Sequence, residues 1–131
     1  EKKVMNSMNI QISCSINPSE DIEKVKASVF NLFPNLKIKI QNDQLSGSSE
    51  NLESLINILD AIRHRKTKNA FFRILKNNLV DNSTWFYLNK QAAFVDVVAL
   101  CNEANESALG PIKVVLNSNN IEKTIEKLES E

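Results

Sequence analysis

The sequence predicts an α+β fold, an antiparallel or mixed sheet of about five to six strands with helices packed on one face. Three observations predict it. Met8, Ile10, Ile12, Cys14 and Ile16 alternate strictly with Asn9, Gln11, Ser13 and Ser15, the period of a half-buried strand. Leu52, Leu55, Ile56, Leu59 and Ile62 repeat at helical spacing instead. Strand-like stretches also fall into hairpin-sized groups with helical ones between them, the order of an α+β layer arrangement.

The elements follow in order. After the first strand, Asn17-Pro18-Ser19-Glu20 has the composition of a helix start: Asn17 as cap, Pro18 in the first turn and Glu20 reaching back to the cap amide. Ile22, Val25, Val29 and Leu32 or Phe33 form that helix's apolar stripe, and Pro34 ends it. Leu36, Ile38 and Ile40 alternate with Lys37, Lys39 and Gln41 in a second strand, and Asn42-Asp43 turns the chain into a short third one around Leu45 to Ser48. Ser49 caps the long helical segment, whose pattern resumes from Thr67 with Phe71, Ile74, Leu75 and Leu79. It is either one bent helix or two joined near His64 to Thr67. Thr84 to Leu88 and Phe94 to Leu100 are rich in aromatic and β-branched residues and predict two strands linked by Asn89-Lys90-Gln91. Ile112, Val114 and Leu116 give a last strand, and Asn119 with Glu122 a capping box for a final helix with Ile121, Ile125 and Leu128 inward.

With 131 residues and neither linker nor internal repeat, residues 1–131 are expected to form a single α+β domain. Formal charge balances at zero, which removes the global field that draws a strongly basic domain onto nucleic acid or membrane. No apolar run is long enough to span a bilayer and the N-terminal residues have no signal-like stretch, so a cytoplasmic location without membrane contact is expected. Cys14 and Cys101 are too few for a disulfide framework and are read as buried thiols.

Catalytic and metal-binding patterns are absent. There is no glycine-rich phosphate loop, no nucleophile elbow and only one histidine, His64, set between Arg63 and Arg65 and read as a solvated side chain. No enzyme, cofactor, metal site or small-molecule substrate is therefore expected. Charge distribution is more informative than its sum. Arg63, Arg65, Lys66, Lys68, Arg73 and Lys76 lie between Ile62 and Val80 with no acidic residue among them. On a continuous helix Arg65, Arg73 and Lys76 share an arc of about 80°, an arrangement that suits a phosphate backbone. A solvated helix face has the same composition. The strand positions expected outside the core carry Asn9, Gln11, Ser13, Ser15, Lys37, Lys39 and Gln41, so base stacking on the sheet is not expected.

Two stretches are familiar. Ile16-Asn17-Pro18-Ser19-Glu20-Asp21-Ile22-Glu23-Lys24-Val25 with Leu32-Phe33-Pro34, and Phe86-Tyr87-Leu88-Asn89-Lys90-Gln91-Ala92-Ala93-Phe94-Val95 with Leu109-Gly110-Pro111-Ile112, resemble an uncharacterised family of small archaeal proteins. That family is grouped with predicted RNA-binding proteins, including a proposed exosome-associated subunit, and the resemblance implies a fold similar to ribosomal protein L-five. It runs from Asn9 to Leu128, with a loop from Cys101 to Ala108 that is longer than the family's link to its Leu-Gly-Pro turn. It draws attention to Tyr87, Asn89, Lys90 and Gln91 as a second candidate site, since polar residues between apolar strands can donate to phosphate or base edges. Their other role is to hold the turn by bonds to the backbone. The expectation is thus a non-enzymatic RNA-associated protein that binds phosphate through the basic segment. The alternative is a protein-interaction module or homodimer with no nucleic-acid binding.

Overall fold

The computed structural model describes residues 8–34, 36–50, 52–64, 67–101, 103 and 109–130, with the side chains of residues 52–54, 63 and 64 outside that description. The strands are β1 (Met8–Ser15), β2 (Lys37–Gln41), β3 (Gln44–Ser49), β4 (Ser83–Asn89), β5 (Leu100–Cys101) and β6 (Pro111–Ser118). The helices are α1 (Ile22–Leu32), α2 (Leu52–His64), α3 (Lys68–Asn77), α4 (Lys90–Phe94) and α5 (Ile121–Ser130). All strands join one six-stranded sheet in the order β2-β3-β1-β6-β4-β5, and every pairing is antiparallel. The predicted α+β class and strand number hold. No described helix is long and apolar enough to cross a membrane.

Alternation sorts the sheet into two faces. Ile10, Ile12, Leu45, Phe86, Leu88, Ile112, Val114 and Leu116 are fully buried and point to the helices. Removing that apolar surface from water is the main stabilising term, of the order of 25 cal/mol per Å². Phe71 and Phe72 of α3 complete this core, with the Phe71 ring edge-on to Phe72 at 5.1 Å and to Phe86 at 4.9 Å. Asn42 and Asp43 both adopt positive φ, 53° and 62°, the conformation of a two-residue hairpin turn whose twist matches its strands.

Several boundaries differ from the sequence reading. Glu20 does accept the Asn17 amide N–H at 2.9 Å, but this contact closes an isolated turn; the helix starts later, with Asp21 as cap accepting from the Glu23 amide. Ile22 is consequently exposed, while Leu32 and Phe33 are both buried. In α2 the inward stripe is Leu55, Ile58, Leu59 and Ile62, and Ile56 faces out. The helical segment is two helices: α2 ends at His64, α3 begins at Lys68, and the Thr67 hydroxyl donates to the Ile62 carbonyl at 3.2 Å across the junction. At the C-terminal helix the cap is Asn120, which accepts the Lys123 amide at 3.4 Å, in place of Asn119.

The largest departure is the predicted strand from Phe94 to Leu100. Asn89 leaves β4 with its side chain accepting the Ala92 amide at 2.8 Å, which caps a helix over Lys90–Phe94 and leaves only Leu100–Cys101 as strand. The predicted link Asn89-Lys90-Gln91 is the beginning of that helix. Asn31 of α1 donates to the Ala93 carbonyl at 2.8 Å and ties the short helix to its neighbour.

Candidate nucleic-acid interface

The face of the sheet turned away from the helices is built by register. Lys39, Ser46, Ser13, Lys113 and Tyr87 lie opposite one another across five strands, and Lys37, Ser48, Gln11, Val115 and Trp85 form the adjacent row. Small serines on β3 and β1 between longer neighbours leave a shallow concavity of about 500 Å³, lined by Gln11, Ser13, Lys37, Lys39, Ser46 and Ser48 together with Val115. Lys37 and Lys39 are exposed and Lys113 is half-buried. None of the three enters an ion pair among the described residues. No outward position on the described strands carries a carboxylate.

This face corrects one expectation. Trp85 and Tyr87 lie on it with ring centroids 5.2 Å apart at 55°, and the Lys113 ammonium lies over the Trp85 ring, 5.2 Å from its centroid. An aromatic pair therefore stands where only small polar and lysine side chains were expected. The alternation Thr84, Phe86, Leu88 inward and Trp85, Tyr87 outward was the available signal. Three large residues in a row read as uniformly apolar when the period is not counted.

The predicted basic segment spans two helices and not one continuous helix. Arg65 and Lys66 lie outside the described residues, as do the side chains of Arg63 and His64, and α3 starts anew at Lys68. Lys68 is half-buried and Arg73 exposed. Lys76 pairs with Glu129 of α5 at 2.8 Å, beside Glu122 and Glu126. The longer loop noted between Cys101 and Ala108 falls largely outside the described residues.

The second predicted group also divides. Tyr87 joins the open face, Asn89 caps α4, Gln91 is exposed on α4, and Lys90 is buried. The Lys90 ammonium donates to the Ser15 carbonyl at 2.8 Å, the Leu109 carbonyl at 2.9 Å and both oxygens of Glu20 at 3.0 and 3.1 Å. Asn17 adds its side-chain amide to Glu20 at 3.0 Å and to the Leu109 carbonyl at 2.9 Å. Burial pushes the Glu20 carboxyl up, but the hydrogen bonds from the Asn17 backbone, Lys90 and the Asn17 side chain outweigh it and hold the group below its ordinary range. Lys90 is thus a structural cation that fastens β1, the 17–20 turn and the 109 turn to α4. The neighbouring cavity of about 280 Å³ is lined in part by this satisfied pair.

Fold and open face define a class: an α+β domain with helices on one side of an antiparallel sheet and a wet, cationic and aromatic surface on the other. Comparison with known proteins then gives its kin. The chain belongs to the family whose model, described as RNA binding, matches residues 9–118. It is 38% identical over 112 residues to a UPF0201 protein of Methanothermobacter thermautotrophicus, covering 86% of this chain and 83% of that one. A UPF0201 protein of Sulfurisphaera tokodaii is 35% identical over 111 residues, covering 82% and 77%. The crystal structure of a UPF0201 protein from Methanococcus jannaschii superposes with a TM-score of 0.77 at 28% identity, over 92% of this chain and 98% of that one. The predicted membership of an archaeal family grouped with RNA-binding proteins therefore stands.

Proposed function

We propose that this protein associates with RNA and contacts the phosphate backbone through the open face of its sheet. The observation that carries the reading is the charge asymmetry of that face, with Lys37, Lys39 and Lys113 on it and no outward carboxylate on the described strands. The family's description as RNA binding supports it. A zero net charge is no obstacle, because backbone binding depends on the local cations that displace counterions. A second reading places the backbone on Arg63, Arg65, Lys66, Lys68, Arg73 and Lys76. Exposure of Arg73 favours it, and the Lys76–Glu129 pair weighs against it.

Fluorescence anisotropy of labelled single-stranded RNA across a salt series tests both. Three phosphate contacts give a slope of log K against log salt of about −2. Changing Lys37, Lys39 and Lys113 together to Glu abolishes binding, whereas changing Arg65, Arg73 and Lys76 to Glu leaves it. The reverse outcome moves the site to the helical segment. No binding even at low salt refutes the RNA reading and favours the protein-interaction alternative, which sedimentation would show as a dimer.

A further inference from the structure

We infer that the open face takes single-stranded RNA and stacks its bases on Trp85 and Tyr87, an inference that rests on the proposed function and names the ligand of that same face. The rings point away from the core, so packing on the helices does not account for them. Their backbone is held firmly. The Thr84 hydroxyl donates to the Leu75 carbonyl at 2.6 Å, Asn78 donates to the Trp85 carbonyl at 2.9 Å, and Phe86 between the two rings is fully buried. Trp85 and Tyr87 are therefore two adjacent π surfaces on an interior strand, the rigid placement that stacking requires.

Cations continue from the aromatic pair. Lys113 sits directly opposite Tyr87 and over Trp85, so a swing of its flexible side chain frees the indole face and puts the ammonium where the phosphate of a stacked nucleotide would lie. Along the same row Lys39 lies four strands from Tyr87, or about 19 Å at ~4.8 Å per strand. At a rise of ~3.4 Å per nucleotide this path fits about six nucleotides. Duplex RNA hides its base faces in its own stack and cannot use Trp85 and Tyr87 in this way.

Trp85 is the sole tryptophan, so its fluorescence reports stacking without a label. The wild-type chain is titrated with an oligouridylate of about eight nucleotides, and in parallel with a GC-rich RNA duplex. The expected result is saturable quenching by the single strand and little by the duplex. Tyr87→Ala then weakens single-strand binding by roughly 5- to 150-fold, the range that corresponds to a stacked base, and Tyr87→Phe retains it. Binding in anisotropy without quenching, unchanged by Tyr87→Ala but lost in the Lys37, Lys39 and Lys113 variant, overturns stacking and leaves backbone association intact. Equal affinity for duplex and single strand also overturns it. Absence of any RNA binding removes both readings, and the wild-type quenching measurement decides the matter even where Tyr87→Ala does not fold.

Discussion

Replacing Lys90 with Met removes the one cation in the knot beneath β1 and tests whether that knot holds the fold together. Four contacts disappear at once, to the Ser15 and Leu109 carbonyls and to both oxygens of Glu20. Lys90 and Glu20 are 3% and 10% exposed, so the pair is largely withdrawn from water in the folded state. Breaking one side of a buried pair in this way costs about 3–5 kcal/mol, a large part of the 5–15 kcal/mol typical of a domain. Urea unfolding followed by circular dichroism should show the midpoint fall by roughly 2 M at neutral pH. The pH dependence adds a signed test. In the wild type the Glu20 carboxyl is depressed on folding, so its contribution is present above about 4.5 and is lost as pH falls through the folded value. Without the ammonium its lowering influence is lost and the folded value rises relative to the wild type, so the deficit of Lys90→Met should shrink as pH falls below that range. Adding Glu20→Gln to Lys90→Met should restore part of the loss at neutral pH. A deficit below about 1 kcal/mol, or one that stays constant as the medium is acidified, would refute the reasoning.

Two further perturbations address other parts of the sheet. Burial pushes the Cys14 thiol up from 9.0 to about 11, with Lys90 pulling the other way; the folded state therefore prefers the neutral thiol, and its contribution is intact below 9.0 and lost as pH rises to about 11. Cys14→Ala should flatten the difference in alkaline stability by up to about 3 kcal/mol, and the native thiol should react with a disulfide reagent much more slowly than the unfolded one. A β-carbon on Gly47 would meet the Leu36 side chain at 2.7 Å and the Lys37 carbonyl at 2.9 Å. Gly47→Ala should therefore cost about 1–3 kcal/mol in thermal unfolding, and an unchanged midpoint would show that β2 yields easily.

Much of the fold was legible because each segment declares its period. The alternation of β1, the Asn42-Asp43 turn and the Ile121, Ile125 and Leu128 stripe all follow from local chain geometry, and the structure reproduces them. Local pattern failed where two local signals competed. Around Phe94 the density of apolar and branched residues favours a strand, yet the cap from Asn89 and the anchoring of Lys90 make a helical turn there. The Lys90–Glu20 contact joins residues 70 apart in the chain and has no sequence signature at all.

The candidate surface divides along the same line. Residue order and periodicity alone give the α+β class, the polar outer face of β1 and β2, the apolar stripe of the final helix and the kinship to an archaeal family, because these are properties of neighbouring residues. Tertiary packing alone sets β6 beside β1 and β4 beside β6, which brings Lys113 and Tyr87 into line with Ser13 and Lys39 and puts Trp85 in the adjacent row. It also decided that Lys76 faces Glu129 and that Lys90 is enclosed. Strand order and ion pairing depend on which distant surfaces bury each other, and that is set by the packing of the whole chain.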